Sequence, residues 1–260
     1  MTLAYNSSSK SIMRMKLKVV DTVAFRQIVE TVGEFMDEAN FLLDNEGMKL
    51  RGVEESRVAL LDMFLPKAFF QSYELDGGES DYLTLKSEEI GNILKKVKKG
   101  DIITINVDEK LMKMELDGEF LRTYEIPSLK SKVSGTPTIN VQYPFKARML
   151  TQSFNELIDQ FNVITDVIEL KGGEGKLTVK GETEMMNMEM ELSLENGLLL
   201  ECEGSEGMGR YGMEYLSKLV KVSNASDVVN IMLGGNVPLK IDYELAGGGH
   251  LDIYLAPRAD

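Results

Sequence analysis

The 260-residue sequence has a single cysteine, Cys202, and a single histidine, His250. One thiol cannot form an intrachain disulfide, which fits a reducing cytoplasm. One histidine and one cysteine cannot supply the usual zinc ligand sets. No apolar run approaches the roughly 20 residues that span a bilayer. The opening MTLAYNSSSKSIMRM lacks the apolar h-region of a secretory signal. Met15 is the expected start of the folded part, after a polar tail. Basic residues are also scarce: 29 Lys and Arg stand against 42 Asp and Glu, a formal net charge of −13. A protein that gripped nucleic acid over its whole surface would be basic. Any such role must rest on a local patch. The expectation is a cytoplasmic protein with no metal, cofactor or membrane partner.

An internal duplication is present instead. Ala24 to Gly52, shifted by 129 residues, falls on Ser153 to Gly181 without a gap. Phe25 meets Phe154, Ile28 meets Leu157, Val32 meets Phe161 and Phe35 meets Ile164. Asp37 meets Asp166, Met48 meets Leu177, Leu50 meets Val179 and Gly52 meets Gly181. At a shift of 130, Leu121, Tyr124 and Pro127 fall on Leu251, Tyr254 and Pro257.

Each half reads as α+β, with two helices and many antiparallel strands. Phe25, Ile28, Val29, Val32, Phe35 and Met36 recur at helical spacing. Alternating strands follow at FLLD and MKLRGV, with Asn45–Gly47 as the turn. Second helices are expected over Glu88–Lys99 and about Tyr211–Val222. DIITINV, KLMKMEL and FLRTYEI close the first half; DVVNIML, PLKIDYEL and HLDIYLA close the second. PSLKSKVSGTP reads as a linker. The expected domains are 15–126 and 141–260, joined by a connector over 127–140.

No catalytic constellation stands out, and the chain reads as a non-enzyme. His250 sits in a GGGH turn, and 42 carboxylates make close acidic pairs cheap. Gly207, Gly209 and Gly212 fit G-x-G-x-x-G between a strand-like run and a helix, the context of a dinucleotide-binding turn. Glu203 and Glu206 put negative charge where a phosphate would sit, and too little chain remains for further βαβ crossovers. A nucleotide-binding enzyme built on 207–212 is therefore the lesser alternative.

The lysines say more. In Glu88–Lys99, Ile90, Ile93, Leu94 and Val97 share one arc, with Lys95, Lys96, Lys98 and Lys99 opposite. In the second half Lys218 and Lys221 take the places of Lys95 and Lys98. A basic stripe repeated on matched helices of an acidic protein suits contact with phosphates.

FRQIVETVGEFMDEANF, SRVALLDMFLP, ILKKVKKGDIITI, NVPLKIDYEL and the terminal GHLDIYLAPR resemble, in the same order, the proliferating cell nuclear antigen family of archaeal and eukaryotic sliding clamps. The resemblance runs from about Met15 to Asp260. It implies a DNA-clamp fold assembled into a trimeric ring, homo- or heteromeric, that encircles double-stranded DNA without regard to sequence. Helices would line the hole, with Arg26 joining the lysines there. DNA polymerase, clamp loader, ligase and flap endonuclease would be the partners in replication and repair. Their motif would enter a groove made by Val53, Arg57, Val58, Leu60, Val133, Pro137, Pro238, Tyr254, Ala256, Pro257 and Arg258. A checkpoint-type clamp subunit would share the fold. The sequence departs from a uniformly basic lining: Glu30 and Glu34 lie on the first helix, and Glu156 and Asp159 on the third.

Two methionine-rich strands suggest where copies join. Leu111, Met112, Met114 and Leu116 lie in one half, and Met186, Met188, Met190 and Leu192 in the other. Exposed apolar edge strands invite pairing, and head-to-tail pairing of one with the other closes a ring.

Overall fold

The computed structural model describes residues 13–76, 80–127, 129, 139–222 and 224–258. Val133 and Pro137 lie outside the described residues. The first half runs β1 (Met13–Val19), α1 (Thr22–Phe35), β2 (Glu38–Asp44), β3 (Gly47–Val53), β4 (Ala59–Pro66), β5 (Ser72–Leu75), β6 (Ser80–Lys86), α2 (Ser87–Leu94), β7 (Ile102–Asp108), β8 (Leu111–Asp117) and β9 (Arg122–Pro127). The second runs β10 (Phe145–Leu150), α3 (Thr151–Asn162), β11 (Val167–Gly173), β12 (Lys176–Glu182), β13 (Asn187–Ser193), β14 (Glu201–Gly204), β15 (Gly207–Gly212) and α4 (Met213–Leu216). It ends with a 3-10 turn (Ser217–Val222), β16 (Val228–Leu233), β17 (Leu239–Leu245) and β18 (Gly249–Leu255). The first strand starts at Met13, two residues before the expected Met15.

The 129-residue shift carries β2 and β3 end to end onto β11 and β12. The closing strands need a correction. Tyr124 lies opposite Met114, which faces Ile105 and then Leu17. Ile253 lies opposite Ile241, which faces Ile231 and then Ala147. Tyr124 therefore corresponds to Ile253, not to Tyr254. A one-residue slip exchanges the two faces of a strand. Tyr124 packs inward against the core, whereas Tyr254 sits on the outward face between buried Ile253 and Leu255.

Among the described residues the strands form three sheets. Their orders are β5-β1-β7-β8-β9, then β14-β10-β16-β17-β18-β4-β3-β2-β6, then β13-β12-β11-β15. The long middle sheet is shared by both halves, joined where β18 pairs with β4. Alternation sets the core: Leu61, Met63 and Leu65 of β4 and Leu251, Ile253 and Leu255 of β18 are buried, while the residues between them face outward.

Asp21 caps α1, its Oδ1 accepting from Ala24 N at 3.1 Å. Phe25, Ile28, Val32 and Phe35 of α1 fill the core. Gln27 and Thr31 are buried as well, because α1 is flanked on both sides, by α2 and by the 3-10 turn of the other half. The helices form one layer in the order α2, α1, α4 with its 3-10 turn, α3.

Two helices are shorter than expected. α2 stops at Leu94, and Lys96 N and Val97 N turn back to Ile93 O and Leu94 O in 3-10 fashion. In the second half one α-helical turn passes into the 3-10 turn. Gly207–Gly212 is not a dinucleotide-binding turn but the edge strand β15, paired with β11. A Cβ at Gly207 would stand 2.8 Å from Leu233 O, and one at Gly209 would stand 2.2 Å from Tyr211 Oη. Close packing accounts for those two glycines, and no phosphate cradle is formed.

Candidate nucleic-acid and partner interfaces

The lysines gather on the helix layer, beyond the helices rather than along them. Lys95, Lys96, Lys98 and Lys99 are all exposed in the turn that follows α2. Cations are favoured there by the C-terminal end of the helix dipole. Arg122 donates to Lys96 O at 2.9 Å and Thr22 Oγ1 to Lys98 O at 3.5 Å, so the backbone of this basic turn is pinned. Lys98 Nζ lies 3.8 Å from Glu119. In the second half Lys221 is exposed and pairs with Glu34 of α1. Lys218 is half-buried, its Nζ 5.2 Å from the ring centres of both Phe35 and Tyr215.

Arg26 behaves differently. It is half-buried, donates to Val97 O at 3.2 Å and lies 4.0 Å from Glu30. Its guanidinium holds the end of α2. Glu30 and Glu34 on the same helix thus face Arg26 and Lys221. The acidic residues of the first helix are met by basic ones within the chain.

The opposite face of the long sheet carries a row of paired positions. Val53 faces Leu60, Leu60 faces Tyr254, and Tyr254 faces Lys240. Lys240 faces Met232, and Met232 faces Lys146. Beside this row Ile139, Val141 and Tyr143 help line a hollow of about 420 Å³ with Lys146, Met232, Lys240 and Tyr254. The loop before β4 is held by one carboxylate: Glu54 accepts from Ser56 N, Val58 N and Ala59 N, and Arg57 takes a left-handed φ of 62°. Ala256 N donates to Val58 O and Arg258 N to Arg210 O, both at 2.8 Å, so the C-terminal run bridges the halves.

Val53, Arg57, Val58, Leu60, Tyr254, Ala256 and Pro257 are thus neighbours around the joint, with Pro238 just before β17. Lys240, Met232, Tyr143 and Lys146, which the sequence did not mark, adjoin this cluster. They alternate outward on their strands or precede one, and only the cross-strand register sets them beside Tyr254.

Below the row lies a polar network. Lys240 Nζ sits 2.6 Å from Asp252, and Tyr254 Oη donates to Asp252 at 3.3 Å. Burial pushes the Tyr143 and Tyr254 hydroxyls up, helped by neighbouring charge. Tyr143 Oη is buried and has no hydrogen-bond partner among the described residues.

The methionine strands require a correction. β8 is an interior strand, between β7 and β9, and Met112, Met114 and Leu116 are core residues, each no more than 2% exposed. Leu111 is 39% exposed at the strand's start. The edges of that sheet are β5 and, next to β8, β9. β13 is an edge, with Met188 and Met190 packed partly against the core and Met186 56% exposed.

Comparison with known proteins agrees with this fold. Residues 14–128 match the family model for the N-terminal domain of proliferating cell nuclear antigen, and residues 141–258 match that for its C-terminal domain. The chain is 37% identical to DNA polymerase sliding clamp 2 of Saccharolobus solfataricus, over 95% of this chain and 100% of that protein. It is 38% identical to DNA polymerase sliding clamp 2 of Sulfolobus acidocaldarius over the same shares. A crystal structure of a PCNA2–PCNA3 complex from Sulfolobus tokodaii superposes with a TM-score of 0.89 at 37% identity, covering 94% of this chain and 100% of that one.

Proposed function

We infer what this chain does from the premise that it belongs to the proliferating cell nuclear antigen family: it is a sliding clamp subunit. The finer reading is that copies of this chain, or of sister chains, close a three-membered ring of six half-subunits around duplex DNA. The observation that carries it is the β18–β4 joint. The two halves correspond strand by strand, yet among the described residues only one joint of this kind lies within the chain. β9 corresponds to β18 and β13 to β4, and both are sheet edges.

The internal joint supplies the register. Ile253 faces Leu61 and Leu251 faces Met63. Their counterparts by ladder position are Tyr124, Met188, Arg122 and Met190. A β9–β13 joint between subunits then sets Tyr124 opposite Met188 and Arg122 opposite Met190. Ile126 comes to face Met186, covering a methionine that is exposed in the single chain.

The helix layer follows the same rule. Gln27 is buried at the internal seam, where its Oε1 accepts from Asn224 N at 2.7 Å. Its counterpart on α3 is Glu156, which is exposed. In the ring this acidic residue lies at the seam with the neighbour's α2, near the lysine turn, and not in the path of DNA.

Closed around DNA, the ring needs little affinity to remain there, which reconciles a charge of −13 with a DNA role. Lys95, Lys96, Lys98, Lys99, Lys218 and Lys221 soften the repulsion at the hole. The outer groove around Leu60 and Tyr254 receives a short motif of polymerase, ligase or flap endonuclease. No catalytic step is assigned to the chain.

Light scattering of the full chain, alone and with sister clamp chains, tests ring closure. A trimer in either mixture is the expected result, followed by retention on nicked circular DNA and loss on linearisation. A persistent monomer in every mixture, or equal retention on linear DNA, overturns the reading.

A further inference from the structure

Corresponding clefts open on the outer face of the two halves, and they differ in character. In the second half Glu169, Lys180, Glu182 and Arg210 are among the residues around a cavity of about 560 Å³. In the first half the cavity is about 940 Å³, and Met36, Leu42, Val53, Phe64 and Tyr82 form its apolar walls.

The hairpins explain the difference. β11 and β12 pair from Ile168 opposite Gly181 through Gly173 opposite Lys176. Thr165 Oγ1 lies 3.0 Å from Val167 O and 3.4 Å from Glu182 O, tying the open end of that hairpin. Met36 stands in the place of Thr165 and has no hydroxyl to make this tie. Its Cε lies over Gly52, 2.5 Å from where a Cβ would be. The β2–β3 ladder registers at Leu42 opposite Lys49 and Leu43 opposite Met48, next to the turn.

The wall residues are not demanded by the fold. By ladder position Leu42, Val53 and Phe64 correspond to Lys171, Glu182 and Glu191. The second half builds the same sheet with charge at all three places. Apolar side chains grouped on an outer face without a packing need mark a binding surface. The rim is acidic, with Asp37, Glu38 and Glu55 exposed. The basic residues of the cleft are already engaged: Lys49 with Asp44 and Glu46, and Arg51 with Asp62.

We propose that this cleft docks a segment of a partner polypeptide in which apolar side chains flank a lysine or arginine. The apolar walls take the former and the carboxylate rim the latter. The rim repels a phosphate backbone, so the occupant is a peptide and not DNA. The cleft meets the outer groove at Val53, and one partner chain can reach both.

The test pans a random heptapeptide display library on the full-length chain, with counter-selection on the Leu42→Lys/Phe64→Glu double variant. Those replacements are the residues of the second half, and an unchanged thermal melt checks that the variant folds. Recovered peptides are then synthesised and titrated. The expected peptides carry Lys or Arg beside apolar residues and bind the variant roughly tenfold or more weakly. Met36→Thr, which restores the hairpin tie, weakens them too. A peptide with the groove-binding motif binds all three proteins equally, so failure of the groove reading and failure of this one look different. Three results overturn the proposal. They are peptides that bind the double variant equally, no peptide that prefers the wild type, or binding seen only when residues 1–12 are deleted, which gives the cleft to the chain's own terminus.

Discussion

Leu60 and Tyr254 stand directly opposite each other where the two halves of the chain join. Leu60 is only 5% exposed, while Tyr254 is half-buried beside it with its hydroxyl turned to Asp252. The pair lies in the proposed partner groove, and its two members fail in different ways. Leu60→Asp puts an unpaired carboxylate into an apolar place, a cost of several kcal/mol, and lowers stability as well as peptide affinity. Tyr254→Ala leaves the fold intact and removes one wall. Calorimetric titration with a polymerase-derived motif peptide is expected to show a loss of about 2 kcal/mol in the tyrosine variant. Affinity within a factor of two of wild type places the groove elsewhere.

The basic turn after α2 leads to a second expectation. Lys95 and Lys98 project from a backbone pinned by Arg122 and Thr22, so reversing their charge leaves the turn in place. Lys95→Glu/Lys98→Glu is expected to shorten the dwell of the ring on nicked circular DNA. It also lowers the salt dependence by about 0.9 for each phosphate that is no longer neutralised. Assembly and motif-peptide binding stay unchanged. Lys218 should matter less, because Phe35 and Tyr215 hold its ammonium group at the seam. Equal dwell times for wild type and the double reversal at moderate salt return these lysines to plain surface.

Periodicity revealed the elements and their repeat, while the clamp arrangement was implied by the family resemblance. The spacing of Phe25, Ile28, Val32 and Phe35, and its echo at Phe154, Leu157 and Phe161, fixed the first helix of each half and the 129-residue repeat. What stayed hidden was neighbourhood. The methionines of KLMKMEL alternate as an edge strand would, but β9 covers that edge, and alternation says nothing about which side of a strand is occupied. Tyr124 looked like Tyr254 because tyrosine and proline recur with the same spacing; only the ladder shows that they face opposite ways. The ends of α2 and α4 were overestimated because the apolar residues recur equally well on a 3-10 turn, where Leu219 and Val222 are three apart and both buried.

The proposed β9–β13 joint decides which substitutions test assembly. Met114 is fully buried, so Met114→Lys would unfold the first half, at a cost of about 4–5 kcal/mol or more. Its failure to assemble would say nothing about an interface. Tyr124→Asp and Met188→Lys change side chains at sheet edges instead. Each is expected to shift the sedimentation profile from ring to smaller species with little change in circular dichroism. The two variants mixed should regain part of the assembly, since the introduced carboxylate of one copy would meet the introduced ammonium group of the next. Intact rings from both single variants would remove β9 and β13 as the joint.

Three aspartates lie in a row on the outer face, Asp242 opposite Asp252 and Asp252 opposite Asp62. Asp252 holds Lys240 and Asp62 holds Arg51, at 2.6 Å each. Asp242 has the weaker partner, Asn230 Nδ2 at 3.3 Å. Burial, with the negative charge of Asp252 beside it, raises the Asp242 carboxyl above its ordinary value. The folded chain therefore takes up this proton more readily than the unfolded chain does. Stability falls as pH rises through the interval from the unfolded value to the raised folded one, and the penalty is complete at neutral pH. Asp242→Asn removes that penalty while keeping the shape of the side chain. The variant is expected to melt on the order of 1–2 °C higher at pH 7, a gain kept small by solvent screening. The gap between variant and wild type should close as the pH is lowered towards about 4, near the ordinary aspartate value. Melting curves of both proteins across that range check it, and a gap that is absent at pH 7 or widens on acidification shows that neither burial nor Asp252 raises the Asp242 carboxyl.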